Sequence, residues 1–545
     1  MKTKILFVTA VLAAQSLMAQ TPTELSAQTS KEQLAQASSD FLYSDLGSIS
    51  RYSLKTNTLP AKIALTGIVL EGRHQGWIGQ NSVDYKTVLL RFGFYTPNTI
   101  MNAPASMKTD FSELPMGLTE KDIRMGLPGV HVSGLNVSCA SCHAGHTYNE
   151  KGQPTKDAWL GLPNTSVNME GYVDAVYRGL ERVKDDNDGA HRLMKQIFPN
   201  MGKSELATAK LFIYRTVNKR VGQLEGLYDR AVPFSNGGPG VTNGVAALKL
   251  NLDLMERDRM QPEYGFTSIP SLGDRLLRSS FLYDGVYAAP GVERFQEKSS
   301  WTKQDSKEMG NLIALFTIPT MGNSQKGALA VGEKVSQVMT TLITNYKAPS
   351  FPGEVDIERA YRGFKTFQEN CAKCHGTYEW TGTKPELKSY PNRLVSVDYI
   401  GTDESRLNAV SDYLVTEFNK SPLAASAIAA KTGGYVAPLL NSLWATAPYL
   451  HNGSVPSLYD LMHPETRPTK FMVGGHHLDY NKMGLKLVRN AKTGVYVYPA
   501  DVKPWSVPVV YDTTTPGRGN HGHVAPFNSL TEERKSDLLE YLKLL

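Results

Sequence analysis

Cysteine is almost absent from this chain: there are four in 545 residues. Two short motifs use all of them, so no thiol is left for a structural disulfide. Long apolar runs are scarce as well. Past residue 19 no stretch approaches the ~20 apolar residues that a membrane-crossing helix needs, so no integral membrane segment is expected in the mature chain. Neither sign of charge is in large excess. Fifty-eight Lys and Arg against 52 Asp and Glu give a formal net charge of +6, spread along the sequence; nothing in this suggests nucleic-acid binding. The loop Phe234-Ser-Asn-Gly-Gly-Pro-Gly240 lacks the lysine and the preceding apolar strand of a phosphate-binding loop, and reads as a turn. With 41% apolar and 20% charged residues, the composition is that of a folded globular protein long enough for at least two cores.

The four cysteines stand in two copies of Cys-x-x-Cys-His: Cys139-Ala-Ser-Cys142-His143 and Cys371-Ala-Lys-Cys374-His375. This is the attachment signal for a c-type haem. The two thiols add to the haem vinyl groups, and the histidine that follows is held where its imidazole can bind iron on the proximal face. Zinc is the alternative reading of a Cys-x-x-Cys pair. A zinc ribbon usually places its second pair about 15–20 residues after the first, whereas here the pairs fall in opposite halves of the chain. Two covalently bound haem c groups are therefore expected, with His143 and His375 as iron ligands.

Residues 1–19 read as a secretory signal peptide: Lys2 and Lys4, an apolar stretch from Ile5 to Ala14, then Leu17-Met18-Ala19. A periplasmic or secreted protein is expected. Residues 20–346 form the expected N-terminal haem domain with insertions, 347–353 a Pro-rich linker, and 354–545 a C-terminal cytochrome c domain. Apolar residues recur at helical spacing from Val167 to Val183, Ser204 to Tyr228, Gly327 to Tyr346 and Asp356 to Asn370. The last of these runs straight into Cys371. Ser529-Leu-Thr-Glu532 resembles a capping box opening a terminal helix that carries Leu538, Leu539, Tyr541, Leu542 and Leu545. Strand signals are short and few. The expected fold class is mostly α: two cytochrome c-type haem domains with long loops and little strand.

An iron held on both faces by protein carries electrons, whereas one with an open face can bind a small molecule. The distal ligands thus decide the function. His146 is too close to His143 along the chain to reach the opposite face, and a local or solvent-facing role is expected of it. His74, His131 and His191 are isolated. His476-His477 reads as an exposed loop. Nothing near the first motif announces a sixth ligand. For the second haem the candidates are His521 and His523, in the Gly-rich segment Thr515 to His523, and Met462 with its neighbour His463.

The stretch Trp444-Ala-Thr-Ala-Pro-Tyr-Leu-His-Asn-Gly-Ser-Val-Pro-Ser-Leu-Tyr-Asp460 resembles a hallmark of the bacterial dihaem cytochrome c peroxidase superfamily. The chain looks most like its rubber-oxygenase-like branch of latex-cleaving dihaem cytochromes. Tyr390-Pro-Asn-Arg-Leu, Ile400-Gly-Thr-Asp403 and Gly519-Asn-His-Gly-His523 add to the resemblance, which covers most of the second half and is looser in the first. It implies a reactive N-terminal haem and a six-coordinate, electron-relaying C-terminal haem. It also implies His523, ahead of Met462, as the relay's distal ligand, and His451 as a group orienting a propionate or ligand. The superfamily's bridging Trp-Asp-Gly segment is matched by Tyr283-Asp284-Gly285, with tyrosine in place of tryptophan. Its acid–base glutamate is matched loosely by Glu308-Met-Gly310, although an ordinary helical glutamate fits that stretch as well. Where a peroxidase has a displaceable distal histidine, Trp159 stands. Calcium between the domains is implied by family analogy only.

These readings point to a dihaem oxidoreductase, peroxidase-like or oxygenase-like, with Tyr283 and Glu308 as candidate catalytic residues. Expected partners are a small redox protein or quinol-linked donor or acceptor, together with peroxide, dioxygen or an apolar substrate. A non-catalytic electron-transfer cytochrome is the alternative, and would need distal ligands on both irons. A binding protein that uses haem only for stability is a third reading, disfavoured by the two motifs and the Trp444 to Asp460 signature.

Overall fold

The computed structural model describes residues 22–47, 59–124, 131–210, 217–219, 221, 232–255, 264–298 and 300–545. The signal segment at residues 1–19 lies outside them, as does most of the expected helix from Ser204 to Tyr228, of which Lys203–Thr208 is helical.

Seven helices organise the fold: α1 (Lys31–Tyr43), α2 (Ala61–His74), α3 (Met169–Asp185), α4 (Lys303–Leu315), α5 (Gly332–Thr344), α6 (Ile357–Asn370) and α7 (Glu532–Leu542). Their starts follow from local chemistry. Ser30 and Gln33 form a reciprocal capping box at α1, and Thr302 and Asp305 form another at α4. Asn168, Asp356 and Thr531 cap α3, α6 and α7 by accepting a backbone N–H from the first turn. The cap of α7 is thus Thr531, not Ser529. The helical run from Gly327 to Tyr346 is divided at Val331 into Gln325–Ala330 and α5.

The expectation of a mostly α fold with little strand is overturned. The structure is mixed, about 41% helical and 16% strand, and the strands of the described residues form eight small sheets of two to four members. Their physical origin is the long connections. Backbone amides that pass beside a core need partners, and short non-alternating segments find them in each other without a period-2 pattern in the sequence. Many of these partners are distant: Tyr287–Ala288 pairs antiparallel with Ile428–Ala429.

Three helix pairs cross through glycine. A methyl carbon built on Gly67 of α2 would lie 2.8 Å from the carbonyl carbon of Gly179 in α3. On Gly310 of α4 it would lie 2.4 Å from Ser336 Cβ of α5, and on Gly363 of α6 only 2.0 Å from the Asp537 carbonyl oxygen of α7. The α6–α7 crossing packs the terminal helix over the helix that leads to the second motif. Phe364 and Phe367 meet the Tyr541 ring there, with centroids 5.8 and 5.2 Å apart. Asp537 accepts from Arg359 Nε at 3.1 Å and Arg362 Nε at 2.7 Å.

Two large hydrophobic cores result, and they share chain across residues 347–353. The first draws Leu414, Phe418 and Leu423 from the C-terminal part, and the second takes Tyr148, Leu162, Val241 and Phe266 from the N-terminal part. Among the described residues, no helix is long and apolar enough to cross a membrane.

Gly363→Ala tests the closest crossing. Alanine in a helix gains about 0.5–1 kcal/mol of propensity, but overpacking typically costs about 1–3 kcal/mol. With backbone oxygen as the obstacle, the cost should win, and the denaturant midpoint should fall.

Candidate functional site

Each Cys-x-x-Cys-His motif folds as one helical turn, Ala140–His143 and Ala372–His375. In both, the histidine N–H donates to the first cysteine's carbonyl at 3.0 Å, so thiols and imidazole share one face. The first motif lies between strands. Residues 131–137, paired antiparallel with 118–124, deliver the chain to it, and 144–148, paired with 154–160, carry it away. The second follows α6 directly.

The imidazoles are aimed by backbone. His143 Nδ1 donates to the Pro270 carbonyl at 3.1 Å, and His375 Nδ1 donates to the Pro438 carbonyl at 2.8 Å. A carbonyl only accepts, so the proton sits on Nδ1 and Nε2 keeps its lone pair for a metal. Burial, with Arg275 adding to it, holds the His143 pKa down at about 4. Burial also lowers that of His375. Both rings are neutral, the form that binds iron. Burial pushes the Cys139, Cys142 and Cys371 thiols up to about 12, 11 and 12.

A single connected cavity of about 520 Å³ touches both motifs. Its walls test the fit of haem. Arg275, Arg278 and Arg406 line it and are 7%, 4% and 2% exposed. Asp274 lies 3.0 Å from Arg275 and 3.6 Å from Arg278, and Asp284 lies 2.9 Å from Arg406. Three guanidinium groups thus face two carboxylates, and Arg275 Nε with Arg406 Nε and NH2 lack an acceptor in hydrogen-bond geometry. A buried cation without full compensation costs several kcal/mol, so these walls suit an anionic ligand. Haem carries two propionates. The donors, thiols and imidazoles present therefore fit it.

Tyr283 lines the cavity and joins the two sides. Its hydroxyl shares a 2.9 Å hydrogen bond with Ser268, two residues before Pro270. Its carbonyl accepts from Val436 N at 2.6 Å, two residues before Pro438. Burial raises the Tyr283 pKa.

His523 stands against His375 with ring centroids 6.1 Å apart. Two imidazoles on opposite sides of one metal, each bonded at ~2 Å, place their ring centres roughly 6 Å apart. His523 has φ +54°, and its N–H donates to the Ile400 carbonyl at 2.7 Å. Gly522 before it passes so near Thr402 that a Cβ would lie 2.5 Å from the Thr402 nitrogen. Burial holds the His523 pKa at about 4. Met462 also lines the cavity and is 2% exposed, within the second core. His451 lines it too, stacked on Tyr435 at 4.2 Å.

The structure does not bring Glu308 to this cavity. Gln304 donates to it at 2.7 Å one turn back on α4, and the Glu308-Met-Gly310 stretch serves the α4–α5 crossing. Trp159 Nε1 donates to the Lys347 carbonyl at 2.9 Å. His476, expected in an exposed loop, is fully buried because Thr165 and the Tyr148 ring enclose it. His146 has the expected local role: it is stacked on Tyr95 at 3.7 Å and bonded to the Thr155 carbonyl. Among the described residues, no group of three or more His, Cys, Asp or Glu is placed to hold a separate metal ion. The arginine trio and the two proline carbonyls escape sequence reasoning. Backbone carbonyls leave no residue-type signal, and Asp274-Arg-Leu-Leu-Arg278 looks like a solvated helical turn.

Residues 434–472 match the protein family described as RoxA-like, cytochrome c-like. This span contains Pro438, His451 and Met462. The match supports a RoxA-like cytochrome with covalently bound haem c and an oxidoreductase role. The chain is also similar to two uncharacterized proteins of Sinorhizobium fredii (strain NBRC 101917 / NGR234). It is 28% identical to y4iM over 290 residues, 43% of this chain and 63% of that protein; the match thus spans less than two thirds of y4iM. It is 26% identical to y4iJ over 563 residues, 85% of each.

His523 and Met462, the two candidates to join His375 on an iron, are separable. His523→Ala should turn one low-spin haem high-spin in absorption and EPR spectra, and Met462→Leu should leave it low-spin.

Proposed function

We propose that this protein is an extracytoplasmic dihaem c-type cytochrome oxidoreductase of the peroxidase/oxygenase-like kind. In this reading the haem on Cys139, Cys142 and His143 is reactive, and the haem on Cys371, Cys374 and His375 relays electrons. The observation that carries it is an asymmetry. His523 lies near His375, with ring centroids 6.1 Å apart, so that the two residues would together hold one iron, whereas among the described residues no second imidazole is paired with His143 in this way. When bound, an iron with one open face supplies a site for dioxygen or peroxide, while a saturated one exchanges electrons.

The chain's own residues favour the oxygenase form over the peroxidase form. Promotion of O–O cleavage in peroxide calls for a positioned acid, and Glu308, the candidate for it, lies on α4 away from the cavity walls. Phe281, Leu315, Phe316 and Ile318 give that cavity an apolar lining, which would exclude water from a group bound there. Tyr283, bonded toward both proximal segments, is the contact through which the sites would communicate. Arg275, Arg278 and Arg406 would hold propionates. The electron partner is a small redox protein or a quinol-linked donor.

A carrier reading has one observation in its favour: Met321 and Met339 also line the cavity, and a thioether on the first iron would close it. Low-temperature EPR and optical spectra of the purified protein, with and without cyanide, peroxide and air, decide between the two. The expected result is one high-spin ferric signal that shifts with added ligand beside an unaffected low-spin one. Two low-spin signals indifferent to all three in both oxidation states would leave the carrier. A pyridine haemochrome assay should count two haems per chain, falling to one in the Cys371→Ala/Cys374→Ala variant.

A further inference from the structure

Outside the cavity, one buried carboxylate has an oxygen that no structural hydrogen bond uses. Glu170 lies in the first turn of α3 and is 8% exposed. Its Oε1 accepts the Asn243 N–H at 2.8 Å, and its Oε2 has no hydrogen-bond partner. Asn243 is flanked by Thr242 and Gly244, which both line the haem cavity beside the first motif. The carboxyl thus sits one residue behind the cavity wall, on the side of Cys142.

Among the described residues its partners are backbone amides, with no adjacent cation. The loop from Val232 to Asn243 contains no charged residue and presents backbone amides, those of Gly237 and Asn243. Arg518, from the segment that ends in His523, acts on it from a distance. That guanidinium donates to the Asn236 and Gly237 carbonyls at 2.8 and 3.3 Å and lies over the Phe266 and Tyr511 rings. Among the described residues Cys142 also feels the Glu170 carboxylate, and that thiol no longer titrates once it is a thioether.

We propose that Glu170 is the proton-binding group coupled to electron transfer at the haem of His143, a role that rests on that haem being attached. An electron reaching the ferric iron from the second haem reduces it to ferrous and leaves the donor haem oxidised. The added negative charge, in a medium of low dielectric constant, raises the proton affinity of the nearby carboxylate. One proton from solvent then binds Glu170 Oε2, and no other bond changes. Burial independently places this carboxyl in the range where it can respond, with its pKa raised to about 7. By linkage the effect is reciprocal: a deprotonated Glu170 disfavours the reduced haem, so its potential falls as pH rises.

The test is a spectroelectrochemical titration of the holoprotein, wild type and Glu170→Gln, at several pH values around neutrality. The wild-type potential of the first haem should fall with pH, by at most about 59 mV per unit, the one-electron equivalent of a tenfold change. Glu170→Gln should hold it flat at the low-pH value, with the second haem's potential unchanged as an internal control. A flat wild-type profile, or a slope that survives the substitution, would overturn the proposal. Redox-difference infrared spectra of the wild type alone cover a variant that fails to fold. Reduction should produce a deuterium-sensitive protonated-carboxyl band, and its absence would count equally against the proposal. A first haem that binds no external ligand yet follows Glu170 would remove the oxygenase reading and leave this one standing. A ligand-binding haem with a flat profile would do the reverse.

Discussion

Two hydrogen bonds, from His143 Nδ1 to the Pro270 carbonyl and from His375 Nδ1 to the Pro438 carbonyl, set the geometry on which the rest of the site depends. Each fixes a tautomer and a ring plane at once, and each does so with backbone, which cannot swing away as a side chain can. Pro270 lies 127 residues beyond His143 and Pro438 63 residues beyond His375, so each half must fold back on its own motif before the imidazole is aimed. Tyr283 bonds to Ser268 and Val436, just upstream of the same two prolines. The two imidazoles are thus connected through Tyr283 by four hydrogen bonds and the short chain stretches 268–270 and 436–438. The shared cores, with Leu414 and Phe418 in the first and Tyr148 and Phe266 in the second, hold this arrangement as one packed unit.

What the sequence discloses follows the range of the interaction involved. The attachment motifs are legible because their chemistry is complete within five residues. The helices at Met169–Asp185, Ile357–Asn370 and Glu532–Leu542 are legible because apolar spacing and capping are local. The small sheets are not, since a pair such as Tyr287–Ala288 with Ile428–Ala429 is determined by how distant loops meet. His476 read as exposed because its neighbours in the chain are polar and glycine-rich; the residues that bury it, Thr165 and Tyr148, lie in the other half. Glu308 matched a motif by its letters, but Gly310 in the same stretch is committed to packing against Ser336.

Charge shows the same division. A net charge of +6 over 545 residues conceals a local excess in the interior, where Arg275, Arg278 and Arg406 face Asp274 and Asp284. Composition averages such a feature away, and only the burial of these particular side chains gives it meaning. The same low-dielectric surroundings that make those arginines receptive to an anion keep both proximal histidines neutral.

The α6–α7 crossing has a bearing on the order of assembly. Arg362 and Asp537, which meet there, are 175 residues apart in sequence, and contacts so distant form late in folding. Cys371 lies at the end of the first of those helices, so its thiol is open until the last helix arrives. Once enclosed, that thiol is pushed up to about 12 by burial and is a poor nucleophile. A thiol reacting before this crossing forms would be the better nucleophile, so the crossing favours attachment to the still-open chain.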